Sequence, residues 1–276
     1  MTTHDEDAIK EAVRGRYASH ARAKTSCCDT PCACNTDETP AIADYDAQDL
    51  AALPAEANLG LGCGNPLAFD SILPGETVVD LGSGGGIDCF LAARRVGPEG
   101  LVIGVDMTAE MVLLAQRNAE RDGYTNVDFR LGEIEDLPID TSSADLVISN
   151  CVINLVPDKT RAFAEAFRVL KPGGRISVSD IVTSAPIPEI ARGSVSAYVA
   201  CLGGALVLED YIAAIGAAGF ENVSVVADSS LCTSTEEAEE LLAAIDLDSL
   251  GGLSREEALR AATLFHSITV NARRPV

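Results

Sequence analysis

From residue 77 onward, apolar residues come in short runs that alternate with longer amphipathic stretches, and glycine, proline or acidic turns separate them. Val78–Leu81 reads as a short buried strand, and the glycine turn after it leads into a helix over Asp88–Val96. Leu101–Val105 and Ala109–Arg121 repeat the strand-then-helix order, and Val127–Arg130, Asp145–Ser149 and Arg175–Asp180 read as further strands. Thr160–Leu170 reads as a helix closed by Lys171-Pro172-Gly173-Gly174, since proline lacks the donor that continues a helix and glycine favours its end. Strands alternating with helices predict an α/β fold with a doubly wound, mostly parallel sheet and helices on both faces.

The flanks are less regular. Residues 1–24 read as a polar helix followed by a linker, and 35–58 as an acidic loop with a short helix. After Asp180 the pattern predicts a helical region containing Cys201, then a helix over Tyr211–Ala218 ended by Gly219. Asn222–Val226 and Ser267–Ala272 read as an edge pair of strands around the acidic, helical Thr235–Ala262. The chain thus divides into a polar N-terminal segment with a cysteine cluster (1–54), a Rossmann-type nucleoside-binding domain (55–185), and a small C-terminal capping region that completes the sheet (186–276).

Composition narrows the partners. The longest apolar run, Ala197 to Leu208, is shorter than the ~18 residues of a membrane span. The N-terminus lacks the apolar region of a secretion signal, so a soluble cytoplasmic protein is expected. A net charge of −22, from 42 acidic and 20 basic residues, argues against nucleic acid or an anionic membrane as partner. Sixteen of the 20 basic residues are arginine, and a surface this acidic and poor in lysine fits a halophilic setting where salt screens self-repulsion. Nine cysteines in a reducing compartment point to metal or metalloid binding or to redox chemistry, not to a disulfide framework.

Val-Val-Asp-Leu-Gly-Ser-Gly-Gly-Gly-Ile-Asp (78–88) is a strand, a glycine turn and a helix start. Gly82, Gly84 and Gly86 let backbone approach a ligand where a Cβ would clash. Asp106 ends the second strand, where a carboxylate can accept from both ribose hydroxyls, and Met107 offers an apolar face to a base. Asp80, directly before the glycines, would repel a pyrophosphate, which disfavours a dinucleotide and favours a cationic ligand such as S-adenosylmethionine. Gly-Glu-Ile-Glu-Asp-Leu-Pro (132–138) ends the third strand and can bracket an adenine, although Glu133 and Glu135 taken singly fit a solvated turn equally well. The ordered set resembles the Rossmann-type methyltransferases.

Cys63, Cys151 and Cys201 occupy three separated settings. They are Gly-Cys-Gly-Asn-Pro, Ser-Asn-Cys-Val-Ile-Asn-Leu, and Cys-Leu-Gly-Gly-Ala-Leu with Leu-Glu-Asp-Tyr following. Each alone fits a small buried residue, as Cys89 does on its helix. Together, over roughly residues 55 to 225, these segments are similar to those of the arsenite methyltransferases. The resemblance implies a seven-stranded methyltransferase sheet and S-adenosylmethionine as methyl donor. It also implies that Cys63, Cys151 and Cys201 bind trivalent arsenic and take part in its redox cycling. Donor contacts would come from the glycine turn, Asp106, Met107, Ile134, Glu135 and Asn150. The family often uses a further N-terminal cysteine, and Cys27, Cys28, Cys32 and Cys34 are the candidates here; no spacing rule selects among them, and substrate capture (Cys27 and Cys28 as additional arsenic ligands), disulfide exchange with Cys63 and no role at all stay open. A zinc site is the rival reading of that cluster.

Soft trivalent arsenic suits thiolates, and its own lone pair is the nucleophile, so no base is needed. His4, His20 and His266 all lie outside the motifs, which agrees with that chemistry. The expected partners are arsenite or its thiol adducts and a thiol reductant such as a thioredoxin-like system. Two other readings are a methyltransferase for a small organic acceptor such as a quinone or sterol precursor, and a non-catalytic metalloid-binding sensor.

Overall fold

The computed structural model describes residues 3–23, 53–54, 57, 72–188, 198, 201–243 and 254–276. Helix α1 spans Thr3–Ala23. The sheet region then runs β1 (Thr77–Leu81), α2 (Ile87–Val96), β2 (Leu101–Asp106), α3 (Ala109–Asp122), β3 (Val127–Leu131) and β4 (Ala144–Asn150). A short 3-10 turn at Ile153–Leu155 leads to α4 (Lys159–Val169) and β5 (Leu170–Thr183). The chain continues through α5 (Leu208–Ala217), β6 (Glu221–Ser230), α6 (Thr235–Ala243), α7 (Arg255–Ala262) and β7 (Phe265–Arg273).

Seven strands form one sheet in the order β3-β2-β1-β4-β5-β7-β6. The first five are mutually parallel, and β7 runs antiparallel to both β5 and β6. The two-residue period of a strand sends neighbouring side chains to opposite layers. Val78 and Val102 pack with Phe90 and Leu91 of α2, whereas Val79 and Ile103 pack with Phe163 of α4 and Tyr211 of α5. Helix α4 starts where the Asp158 carboxylate accepts from Arg161 N at 2.9 Å, and α7 starts with a reciprocal Ser254–Glu257 capping box.

Two local expectations change. Helix α4 does stop before Lys171-Pro172-Gly173-Gly174, but that segment belongs to the irregular start of β5, where the pairing with β4 shifts register between Ala144 and Leu146. Cys201 lies in a turn and not in a helix, with φ 62°, and α5 begins only at Leu208. Gly203-Gly204 lies just beyond Leu202, and glycine's backbone freedom opposes helix there. The late strands pair as expected, but β7 sits between β5 and β6, so of the two only β6 is an edge strand.

Candidate active site

In a parallel sheet the carboxyl ends of the strands open onto a crevice where the chain order reverses. That reversal lies between β1 and β4, and a cavity of about 110 Å³ opens there. Its lining includes the glycine turn, Asp88, Asp106, Met107, Ile134, Glu135, Asn150 and Cys151.

The turn is pinned from below by Gly82 N and Ser83 N, which donate to Val105 O at 2.7 and 3.0 Å. Its glycines do different work. A Cβ on Gly82 would strike Val152 at 2.5 Å, and one on Gly86 would strike Phe90 at 2.7 Å, so both serve internal packing. Gly84, at φ 50°, meets nothing within 4 Å and opens onto free space. Asp106 is locked beside it, accepting from Gly84 N at 3.0 Å and from Thr108 N at 2.8 Å. Burial raises the Asp106 carboxyl, and these backbone donors oppose the rise.

Asp80 does not line the cavity. It is buried behind the turn, accepts the Cys89 thiol at 3.2 Å, and is pushed well up by burial and then by the charge of Asp88. Asp88, which sequence reasoning passed over, does face the cavity and accepts from Asn150 Nδ2 at 3.3 Å. Its signal was present as an acid two residues after the last glycine of the turn. Carboxylates on two sides of an open glycine turn, with apolar Met107 and Ile134 beside them, fit a cationic nucleoside such as S-adenosylmethionine and repel a polyphosphate.

Helix α1 supplies a further wall through Lys10, Val13 and Tyr17. Lys10 Nζ lies 2.7 Å from both Glu133 and Glu135, and Arg14 reaches Glu133 at 3.1 Å. Glu135 is therefore a buried, ion-paired residue and not part of a solvated turn. Burial pulls the Lys10 ammonium down, but hydrogen bonds to Glu133 and Glu135 outweigh it and leave a net rise. The sequence carried a faint sign of this wall in Ile9, Val13 and Tyr17, which recur every four residues on one face of an otherwise polar helix.

Cys151 follows Asn150 at the end of β4, with φ 60°, and is 2% exposed. Its amide donates to Ser179 O at 2.8 Å. The Cys201 thiol donates to Cys151 O at 3.3 Å, so the two cysteines are neighbours. Cys151 is disulfide-bonded. Cys63, Cys27, Cys28, Cys32 and Cys34 also lie outside them. Among the described residues no three His, Cys, Asp or Glu side chains gather as a metal site. Cys89 and Cys232 are buried and free.

A polar set is buried beneath the cysteines. Asp180, at the end of β5, accepts from Asn154 N at 3.1 Å, Ile181 N at 2.9 Å and the Tyr211 hydroxyl at 3.2 Å. Burial pushes its carboxyl up to about 7. Lys159 Nζ donates to Val156 O at 3.1 Å and to Asn154 O at 3.4 Å.

A family profile described as a methyltransferase domain matches residues 72–243, and it fixes the class that the sheet order and cleft define. An arsenite methyltransferase of Halobacterium salinarum is 46% identical over 236 residues, covering 82% of this chain and 60% of that protein. The arsenite methyltransferase of Aquipseudomonas alcaligenes is 43% identical, covering 62% of this chain and 51% of that protein. The crystal structure of an arsenic(III) S-adenosylmethionine methyltransferase from Chlamydomonas reinhardtii superposes with a TM-score of 0.65 at 33% identity, covering 85% of this chain and 72% of that one. Within the methyltransferases, the chain belongs to the arsenite methyltransferase family. It spans 60% or less of the length of these two curated relatives.

Proposed function

We propose that this protein transfers a methyl group from S-adenosylmethionine to trivalent arsenic held by the thiolates of Cys63, Cys151 and Cys201. When bound, S-adenosylmethionine supplies an electrophilic methyl carbon on a positively charged sulfur. The glycine turn, Asp106 and Asn150 hold the donor's polar groups, Met107 and Ile134 cover its base, and Glu135 closes that end. In this reading residues 55–185 bind the donor, 186–276 cap it and complete the sheet, and 1–54 carry auxiliary cysteines. Arsenite or a thiol adduct enters by exchanging its oxygen or thiol ligands for the protein's sulfurs.

The thiolates leave the arsenic lone pair directed away from themselves, so the protein need only hold it in line with the methyl group. Alignment at ~3 to 3.5 Å is worth on the order of 7 to 11 kcal/mol of barrier. No residue has to remove a proton. Transfer takes two electrons formally from arsenic, making it pentavalent. Two cysteine thiolates return those electrons by joining as a disulfide, and an external thiol reductant of the thioredoxin type then restores the thiols. Such a cycle belongs in a reducing compartment such as the cytoplasm. Among the described residues no helix is long and apolar enough to cross a membrane.

The observation that carries this reading is the adjacency of Cys151, on the cavity wall beside Asn150, and Cys201, whose thiol contacts the Cys151 carbonyl. An oxygen or nitrogen acceptor would not call for a cysteine at that wall with a second one in contact behind it. The test is to incubate reduced protein with arsenite and S-adenosylmethionine at high salt and to separate the arsenic species. Methylated arsenicals should form, and Cys151→Ser or Cys201→Ser should abolish them while donor binding persists. Unchanged turnover of an organic acceptor by both serine variants would overturn the reading.

A further inference from the structure

Cys151 and Cys201 sit on different elements, 50 residues apart, and each occupies a left-handed backbone conformation that costs a non-glycine residue roughly 1 kcal/mol. Something must hold these two turns against one another. Asn154 is fully buried and joins them. Its side-chain amide donates to Cys201 O at 3.2 Å and to Ile181 O at 2.6 Å, while its backbone amide donates to Asp180.

A second, independent feature marks the same seam. A Cβ added to Gly204 would lie 2.0 Å from Asn154 O and 3.0 Å from its carbonyl carbon. The turn carrying Cys201 therefore rests directly on the backbone of Asn154, and backbone cannot swing aside as a flexible side chain can. Beyond it, Thr183 N donates to Leu206 O at 2.9 Å and Thr183 bridges to Val207, which fastens the outgoing end of the cap to β5.

We infer that Asn154 is a positioning residue for the arsenic site: with Gly204 it sets the separation of the Cys151 and Cys201 sulfurs. The inference rests on the proposed function, because only a ligand taken by two sulfurs at once requires their spacing to be fixed. Asn154 touches neither donor nor arsenic in this role. It acts through the backbone of Cys201.

The probe is phenylarsine oxide, a trivalent arsenical that bridges two thiols and needs no methyl donor. Full-length protein reduced with a phosphine would be titrated with it. Mass spectrometry would score protection of Cys151 and Cys201 from alkylation, and dialysis with radiolabelled S-adenosylmethionine would follow donor binding. Asn154→Ala should weaken phenylarsine oxide binding at the pair by about tenfold, as expected for lost buried hydrogen bonds, and leave donor affinity within about twofold. Gly204→Ala should do the same by pressing on the Asn154 backbone, without removing any hydrogen-bonding group. With arsenite, the same variants should raise KM more than they lower kcat.

Wild-type affinity for phenylarsine oxide in a folded, donor-binding Asn154→Ala protein would overturn the inference. Should that variant fail to bind donor, Gly204→Ala decides, and undiminished affinity there overturns it equally. Protection of both cysteines in a wild-type protein that yields no methylated arsenic would sink the proposed function while leaving the spacing role standing.

Discussion

Cys201, a proposed arsenic ligand, occupies a backbone that its residue type does not favour. At φ 62° glycine would be the relaxed choice, so the thiol is retained against local preference. Cys201→Gly should therefore be at least as stable as Cys201→Ala, by up to about 1 kcal/mol, in urea unfolding. The reverse order would mean that the turn is not strained. At this scale local chemistry led to Gly84, Asp106 and Cys151, and family resemblance to Asn150, all of which the structure places at the cleft. The sequence was opaque where a role is created by a distant partner. Nothing near Lys10 announces Glu133, 123 residues away, and nothing near Asn154 announces Cys201. Asp80 is the reverse case, since its neighbours suggested a ligand contact whereas it lies buried and outside the cavity lining.

Among the elements, α1 depends on charge as much as on its apolar face. The hydrogen bond from Lys10 holds Glu133 below its ordinary value of 4.5 against the opposing effect of burial. A lowered carboxyl stabilises the fold above its ordinary value, and that contribution is lost as pH falls through the lowered one. Lys10, raised above 10.5, contributes below that value and loses its effect only at higher pH. The contact is therefore constant across neutral pH and fails in acid. Lys10→Ala should cost on the order of 1 kcal/mol at pH 7, and its gap from wild type in urea unfolding should close as pH drops below 4.5. A gap that stays constant through that range would assign the loss to packing instead. Strand and helix periodicity revealed the sheet elements well because each buries a regular face. It misjudged the segment around Cys201 because that turn is shaped by contact with Asn154 and not by its own apolar pattern.

For the molecule as a whole, 22 surplus negative charges set the conditions under which it stays folded. Screening shortens from about 10 Å at 0.1 M salt to about 3 Å at 1 M, so self-repulsion among surface carboxylates fades. Partly buried pairs such as Arg175–Glu76 at 2.7 Å, each side chain 12% exposed, are affected less. Raising potassium chloride from 0.1 M to 2 M should thus increase the thermal midpoint, and the gain should saturate once screening is complete. A midpoint that falls with salt would contradict this account.

The placement of β7 has a consequence for assembly. Strand β5 is complete at Thr183, yet its outer neighbour is drawn from residues 265–273, and β6 has no other strand to join. A growing chain must therefore carry an unzipped β5 margin for some eighty residues of synthesis before it can be covered. Because Thr183 at the end of β5 also fastens the segment leading away from Cys201, the proposed arsenic pocket should mature only after that late strand has slid into place.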